Sequence, residues 1–348
     1  MRRSSTFCLF HPICKLMSLA MVLTALAAGG ADVFAAKGGS EIPPPSSTAG
    51  AEYVILFVLE GIGQESLKGG TMPVLSKLVS EGSATWSATS PKPALRLPLM
   101  ASLITGLPVE RHGITWNTFE FSRGYPRAPT VFDYLDLSGG RDSAIFFMDE
   151  SLYQLAKPEP YTDYQMCGPL RPECNPAKLV SYIRDYFKKA TSGHGHGHAI
   201  LSLPHLLVIH LPAAGRAGET QGWKSAAYRE SLKAVDKAMG AVLDLYRELD
   251  LLKRTTVFVT SLSTFGEPGI STPEGQNDQS GEAPRVPWIA SGAGIKKGHA
   301  ISQPVSLIDT GATVMRALGL ETHTEWDSHA VEEIFKTASS NHSSSKHP

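Results

Sequence analysis

The 348-residue chain has a hydrophobic content of 42%, which is ample for a large buried core. Its 32 basic and 33 acidic residues give a formal net charge of −1. The chain therefore has neither the basic surface of a nucleic-acid-binding protein nor the strong charge typical of a membrane-surface protein. Its length suits one large α/β domain or two ordinary domains.

The first 35 residues have the pattern of a targeting segment. Arg2 and Arg3 supply a basic start, residues 16–28 form an apolar core, and Val33 to Ala35 resembles a cleavage site. The apolar run is shorter than the ~20 residues of a membrane-spanning helix. We therefore expect residues 1–35 to be a signal peptide, with a retained membrane anchor as the alternative. The mature protein would then be secreted or periplasmic and would not span a membrane.

Helical and strand patterns alternate after residues 36–50, a Gly-, Ser- and Pro-rich segment predicted to be a flexible linker. Short apolar runs predict strands at 53–59, 143–147, 206–211, 256–261 and 286–290. Apolar stripes predict helices between 71 and 82 and at 97–104, 130–137, 178–190, 226–251 and 307–318. This alternation predicts a three-layer α/β/α sandwich with a mostly parallel central sheet. The domain would occupy residues 51–336, and the polar tail at 337–348 is predicted to be disordered.

Two cysteines lie beyond the targeting segment, within the sequence CGPLRPEC. Cys167 and Cys174 are close in sequence and flank a Pro-containing loop. In an oxidising compartment such a pair forms a disulfide more readily than a metal site. We therefore predict a Cys167–Cys174 disulfide that shapes a surface loop.

Three segments should meet at the carboxyl edge of the sheet, where such folds place their ligand sites. Glu60 follows the first strand, and loops starting at Ala213 and Ser261 follow two later strands. The stretch PKPALRLPLMASLITG at 91–106 has the pattern of a turn into a helix, and this turn presents Arg96. We therefore expect Glu60 and Arg96 to lie close together.

Several sequence blocks, in order along the chain, carry a resemblance to a known family. They are MPVLSKLVSEG, PALRLPLMASLITGLPVERHGITWN, AGETQGWKSAAYRESLKAVDKAMGAVLD, RTTVFVTS, VPWIASGAGIKKG and PVSLIDTGATVMRALGL. Through these blocks, residues 53–320 resemble the type I phosphodiesterase/nucleotide pyrophosphatase branch of the alkaline phosphatase superfamily. The resemblance implies an alkaline-phosphatase-like fold. It also implies that related enzymes use two metal ions, usually zinc, and a Thr or Ser nucleophile.

The first two catalytic positions of the resembled family are changed in this chain. Glu60 stands where the family has an Asp metal ligand followed by Gly, and Arg96 stands where it has the nucleophile. The guanidinium of Arg96 stays protonated and has no usable lone pair, so it cannot attack phosphorus. Asn117 alone keeps the type of the family residue, an Asn that binds the substrate phosphoryl oxygen.

The remaining ligand positions are also replaced. The Asp and His of the family's Asp-x-x-x-His pair fall on Gly215 and Glu219, and its Asp-His pair falls on Leu262 and Ser263. A last His ligand has no counterpart, because residues 271–285 contain no histidine. A pair of dications needs roughly six imidazole or carboxylate ligands. The sequence therefore predicts these positions to be vestigial and the protein to bind no metal cofactor.

The sequence thus favours an exported pseudoenzyme that acts as a binding or accessory protein. Glu60, Arg96, Asn117 and Glu219 are its candidate ligand-binding residues, and its partner would be an unidentified protein or a small anionic ligand. With the metals gone, we expect the cation of Arg96 to pair with Glu60, Glu219 or both. A structural subunit of an exported complex is an alternative.

An active metal-dependent phosphodiesterase or phosphatase with an altered site is a further alternative. It would need other nucleophiles and ligands, for which the chain offers Ser102, Thr105, His112, His205, His210 and the GHGHGH tract at 193–198. His112, His205 and His210 are more typical of structural or core positions. The tract is more typical of a solvated loop with incidental metal affinity.

Overall fold

The computed structural model describes residues 50–139, 141–156, 162–166, 175–192, 202–264, 266 and 284–337. Several predicted features lie outside these ranges. They are the signal peptide, nearly all of the linker, the Cys167–Cys174 disulfide, the His-rich tract at 193–198 and the tail from residue 338. Within the described ranges, no helix combines the length and hydrophobicity that a membrane span requires.

In the part of the chain that the structure describes, the central element is an eight-stranded sheet in the order β4-β3-β5-β1-β6-β7-β2-β8. Its strands are β1 (Tyr53–Leu59), β2 (Gly82–Thr89), β3 (Ser143–Phe147), β4 (Thr162–Met166), β5 (Leu206–Leu211), β6 (Thr255–Ser261), β7 (Arg285–Gly292) and β8 (His299–Ala300). Only β7 runs antiparallel to its neighbours, β6 and β2, among these strands. The sheet is therefore mostly parallel, as the sequence predicted.

Helices cover both faces of this sheet. They are α1 (Pro73–Ser80), α2 (Arg96–Thr105), α3 (Val109–His112), α4 (Val131–Leu137), α5 (Pro176–Thr191), α6 (Ala213–Gln221), α7 (Ala226–Glu248) and α8 (Asp309–Ala317). The side chains of β1 alternate between the two layers. Val54, Leu56 and Val58 pack with α2, α4 and α8. The intervening residues pack with α1, α5 and α7. The predicted three-layer α/β/α architecture is thus confirmed.

Two elements differ from the sequence prediction. Residues 82–89 form the strand β2, although the sequence indicated only the end of a helix at Gly82. Most of its residues are small or polar and their burial varies along the strand, so β2 lacks the apolar run by which buried strands are recognised. The segment beginning at Ala213, predicted to be a loop, is the helix α6. Its two glycines have low intrinsic helix propensity, so the helix depends on tertiary packing.

Candidate functional site

Ionisable side chains from five segments meet at the carboxyl edge of the sheet. The strands β1, β2, β3, β5 and β6 all run in the same direction, so their carboxyl ends share this edge. Glu60 follows β1, Asp149 follows β3, and His210 lies near the end of β5. Arg96 opens α2 shortly after β2, and α6, which carries Arg216, follows β5. The topology thus gathers residues that are far apart in sequence.

Arg96 and Glu60 form a buried, two-pronged ion pair. Arg96 Nε lies 2.5 Å from Glu60 Oε1, and Arg96 Nη2 donates to Glu60 Oε2 at 2.8 Å. Glu60 is 0% exposed and Arg96 is 4% exposed. This fork matches the planar guanidinium to both oxygens of one carboxylate. The ion pair expected between these residues is therefore present.

A second carboxylate, that of Asp149, holds the other side of the guanidinium. Its Oδ2 lies 3.0 Å from Arg96 Nη1 and also accepts a hydrogen bond from Arg216 Nη2. Arg216 donates in addition to the carbonyl oxygen of Met148 at 2.8 Å, and it is partly exposed. Charges therefore alternate from the buried Glu60 through Arg96 and Asp149 to Arg216 nearer the surface. Sequence analysis did not identify Asp149 or Arg216 as part of the site.

His210 is a further member of the network. Its Nε2 lies 2.8 Å from Glu60 Oε1, and the side chain is fully buried. The histidine is thus a buried residue, as expected, but it is bonded directly to the candidate site. Strand register explains the contact, because His210 pairs with Val58, which lies two residues before Glu60 and on the same face.

The network fixes the charge state of its groups near neutral pH. Burial by itself would raise the pKa of Glu60, but the charge and hydrogen bonds of Arg96 outweigh burial and hold that pKa at about 2. Burial would lower the pKa of Arg96, whereas Glu60, Asp149 and Glu219 together raise it above its ordinary value. The pKa of His210 is lowered, chiefly by burial. Glu60 and Arg96 are thus both charged, and His210 is neutral and donates from Nε2.

Asn117 supports the turn that presents Arg96. Its Oδ1 accepts a hydrogen bond from the backbone N–H of Leu97 at 2.9 Å, and the side chain is buried. That N–H belongs to the first turn of α2, where helical partners are absent, so Asn117 caps the helix from a distant segment. Glu219, on α6, is partly exposed and acts on Arg96 through its charge.

The two predicted ligand positions after β6 have structural contacts. Leu262 is buried in the apolar core, and its N–H donates to the carbonyl oxygen of Leu59 at 2.8 Å. Ser263 Oγ accepts a hydrogen bond from the N–H of Gly61 at 2.9 Å. Both residues therefore fasten the end of β6 to the end of β1.

Gly215 and Gly61 bring α6 into direct backbone contact with the end of β1. A Cβ built on Gly215 would lie 2.7 Å from the Cβ of Glu60, and one built on Gly61 would lie 2.6 Å from the Cα of Gly215. Gly61 also has a φ of 71°, a conformation that favours glycine. A side chain at position 215 therefore has no room unless the strand end and the helix move apart.

The alternative nucleophiles are placed inside the core. Ser102 is fully buried, and its Oγ lies 2.9 Å from Nε2 of His112. Thr105 is also fully buried, and its hydroxyl donates to the carbonyl oxygen of Ala101 at 2.7 Å within α2. His205 precedes β5 at the opposite edge of the sheet and stacks on Tyr53. None of these groups joins the charged network at the carboxyl edge.

The protein has an alkaline-phosphatase-like fold, which it shares with several solved structures. Human ectonucleotide pyrophosphatase/phosphodiesterase 5 is similar in structure, with a TM-score of 0.61 and 12% identity, covering 82% of this chain and 100% of that chain. A 2-O GAG sulfatase has a TM-score of 0.60 and 12% identity, with 81% and 73% covered. The lipoteichoic acid synthase LtaP from Listeria monocytogenes has a TM-score of 0.58 and 13% identity, with 81% and 76% covered. At these identities the similarity concerns the fold alone.

Comparison of the sequence with a family model identifies the family to which the chain belongs. The model of the type I phosphodiesterase/nucleotide pyrophosphatase family matches residues 54–262, from β1 to just beyond β6. Because this match covers more than half of the chain, the protein belongs to that family. No curated protein matches the chain in sequence.

The family resemblance implies a pair of metal ions, and the side chains that the structure describes at this edge do not fit such a pair. Both oxygens of Glu60 already accept hydrogen bonds from Arg96, and one of them is also bonded to His210. Position 215 has no room for a side chain, and Leu262 is apolar. Two dications need about six strong donors, and a guanidinium among the carboxylates would repel them. The carboxylate oxygens of Glu60 and Asp149 suit the guanidinium of Arg96 better than a pair of metal ions.

Proposed function

We propose that this protein is a catalytically degenerate member of its family, exported from the cell, which acts as a binding or accessory protein and needs no metal cofactor. The observation that carries the proposal is the forked ion pair between Arg96 and Glu60 at the position of the family's nucleophile and first metal ligand. A guanidinium is not a nucleophile, and here it also neutralises the carboxylate that would bind metal. Both changes act against phosphoryl transfer.

The network also bears on the kind of ligand. Arg96 engages two carboxylates, and Arg216 is bonded to one of them, so an anion that binds this network would have to displace an existing ion pair. Displacing a buried pair strands a charge, which costs several kcal/mol. A small anionic ligand at the network is therefore less favoured than a protein partner on an outer surface.

The proposal predicts that the purified mature protein does not hydrolyse p-nitrophenyl phosphate, bis-p-nitrophenyl phosphate or a nucleotide above the protein-free rate. Zn²⁺, Mn²⁺ or Mg²⁺ should not change this result, because nucleophile and ligands are lost together. The measurement is steady-state release of p-nitrophenol or phosphate, with each metal supplied in turn.

Variants at the two central positions make this test decisive. Turnover that depends on metal, survives Arg96→Ala and disappears on Glu60→Ala would identify an active hydrolase with an altered site. That result would refute the pseudoenzyme proposal. Activity unaffected by Glu60→Ala would instead indicate a contaminating enzyme.

An accessory role in a complex is favoured by an exposed aromatic loop, residues 119–125. Phe119, Phe121 and Tyr125 are 42%, 87% and 46% exposed, and the loop begins two residues beyond Asn117, so it borders the carboxyl edge. Aromatic and Arg side chains are enriched at protein interfaces. The loop contains both, since Arg123 lies among its aromatic residues.

Side-chain contacts hold the aromatic loop in one conformation. The N–H of Glu120 donates to Gln154 Oε1 at 2.9 Å, and Gln154 Nε2 donates to the carbonyl oxygen of Gly124. Arg123 stacks on Trp116, with its Cζ 4.4 Å from the ring centroid, and pairs with Glu120. Such preorganisation lowers the entropy lost when a partner binds.

The accessory role predicts a protein that co-purifies at fixed stoichiometry from the native source. Phe121→Ser should weaken that association by about tenfold or more, because exposed aromatics at interfaces are frequent hot spots. The matched control is Leu137→Ser, which removes another exposed apolar side chain, 78% exposed, at the far end of α4. Equal binding by both variants in a pull-down with the purified partner would contradict the role of the loop.

Export remains part of the proposal, with the protein secreted or periplasmic and Cys167 paired with Cys174. Mass spectrometry of tryptic peptides with and without reduction tests both statements together. Two free thiols in protein taken from its native compartment would argue against the disulfide and against export.

A further inference from the structure

A short 3₁₀ helix lies between the charged network and the aromatic loop. This bridge helix, Glu150–Leu155, begins directly after Asp149. The Oδ1 atom of Asp149 accepts hydrogen bonds from the N–H of Ser151 at 2.9 Å and from its hydroxyl at 2.5 Å. A helix of this length has too few internal hydrogen bonds to offset the cost of ordering it. Its position therefore depends on this cap and on its packing.

The charged network fixes the start of the bridge helix. Asp149 uses Oδ1 as the cap and Oδ2 to pair with Arg96 Nη1 at 3.0 Å and with Arg216. Leu152 and Leu155 of the helix are buried in the apolar core that includes the side chains of α2, the helix that Arg96 opens. The ion pair and this packing together hold the bridge helix beside α2.

The far end of the bridge helix holds the aromatic loop. Gln154 is 1% exposed and bonds to both sides of the loop. Its Oε1 accepts from the N–H of Glu120 at 2.9 Å, and its Nε2 donates to the carbonyl oxygen of Gly124. Tyr153 adds an edge-to-face contact with Phe119, with the ring centroids 5.9 Å apart. The conformation of the loop therefore depends on where the bridge helix lies.

A second connection joins the loop to the turn that presents Arg96. Asn117 lies two residues before the loop, and its Oδ1 accepts from the N–H of Leu97 at 2.9 Å. Leu97 directly follows Arg96 in the chain. The loop is thus tied to Arg96 in two ways, through its backbone neighbour and through its ion pair with Asp149.

We propose that Arg96 and Asp149 are positioning residues for the aromatic loop, and that their ion pair acts on the loop through the bridge helix and Gln154. The edge of the sheet where the family places its nucleophile thereby supports an interaction surface. A loop held in one conformation loses less entropy when a partner binds, so a loosened loop binds more weakly. This inference rests on the accessory role proposed for the loop and deepens it, because it identifies what keeps Phe121 in place.

Hydrogen exchange of the full mature chain, measured by mass spectrometry, tests this connection without a partner. Several amides of the loop are hydrogen-bonded within it or to Gln154, so their exchange reports how often the loop opens. Asp149→Asn keeps an acceptor for the cap but removes the charge that pairs with Arg96. We expect exchange in residues 119–125 to become about tenfold faster, the order of effect for losing one hydrogen bond to a charged group. Exchange in β1 should not change, because the opening is local.

Three further variants assign the effect to the proposed route. Gln154→Leu removes both side-chain bonds to the loop, so it should accelerate exchange at least as much as Asp149→Asn. Arg216→Ala removes the other partner of Asp149 and leaves the pair with Arg96, so the loop should exchange as in the unmodified protein. Asp327→Asn is the matched control, since it breaks an ion pair with Arg111 outside the network and should also leave the loop unchanged.

Two results would overturn the proposal. Loop exchange in Asp149→Asn that equals that of the unmodified protein, while Gln154→Leu exchanges faster, would show that the network does not act on the loop. Acceleration by Arg216→Ala or Asp327→Asn as large as that by Asp149→Asn would show that the effect does not depend on Arg96.

The inference and the accessory role can fail separately. In a pull-down with the purified partner, we expect both Asp149→Asn and Phe121→Ser to weaken association. Unchanged association of Phe121→Ser, together with faster loop exchange in Asp149→Asn, would refute the accessory role and support the positioning of the loop. Weaker association of Phe121→Ser with unchanged loop exchange in Asp149→Asn would support the accessory role and refute the positioning.

Discussion

Replacing Arg96 with alanine is expected to lower the free energy of unfolding by about 2 to 4 kcal/mol, the cost of stranding a buried carboxylate. The loss should come mainly from Glu60, which is fully buried and takes both prongs of the guanidinium. Asp149 keeps a partner in the variant, because its Oδ2 also accepts from Arg216. Urea denaturation of both proteins at neutral pH measures the difference.

The charge, and not the lost contact area, should account for most of this effect. Adding Glu60→Gln to Arg96→Ala removes the stranded charge, so the double variant should be less destabilised than the two single changes added together. A coupling energy of about 1 kcal/mol or more would be expected for groups in direct contact. Single effects that simply add would show that the ion pair contributes nothing specific to stability.

The strands that sequence analysis located correctly are those whose side chains are buried on both faces. β1 and β5 have the predicted bounds, because a parallel strand covered by helices is a continuous apolar run. β2 lacks such a run, since part of it is exposed and all its residues except Trp86 are small or polar. The helix α6 was missed for a different reason. Gly215 lowers the helix propensity of this segment, but glycine is required there because the helix approaches Glu60 closely.

The central ion pair could be predicted from sequence, and the rest of the network could not. Glu60 and Arg96 stand at recognisable positions of a family pattern, and loss of the metals leaves a carboxylate that needs a cation. Asp149 and His210 belong to no such pattern here. Their participation depends on β3 and β5 being neighbours on the same side of β1, and on the register of β5. Strand order is a property of the whole fold, which local periodicity does not determine.

His112 is a buried histidine outside the charged network, and it predicts that the protein loses stability in mild acid. Burial lowers the pKa of His112 to about 4, against an ordinary value near 6.5. Its hydrogen bonds fit the neutral form, because Nδ1 accepts from the N–H of Ile114 at 3.1 Å and Nε2 lies 2.9 Å from the hydroxyl of Ser102. A proton on Nδ1 would oppose the Ile114 N–H, so the charged ring is poorly accommodated.

The sign of the effect follows from proton linkage, because the unfolded chain takes up a proton at His112 at a higher pH than the folded protein does. The stability that His112 contributes is therefore complete above about pH 6.5 and is lost as the pH falls towards 4, by about 2 to 3 kcal/mol in total. His112→Asn keeps an acceptor near Ile114 and cannot be protonated, so its free energy of unfolding should decline less than that of the unmodified protein between these pH values. Urea denaturation at several pH values measures the profiles, and identical declines for the His112→Asn variant and the unmodified protein would show that His112 is not a source of acid sensitivity.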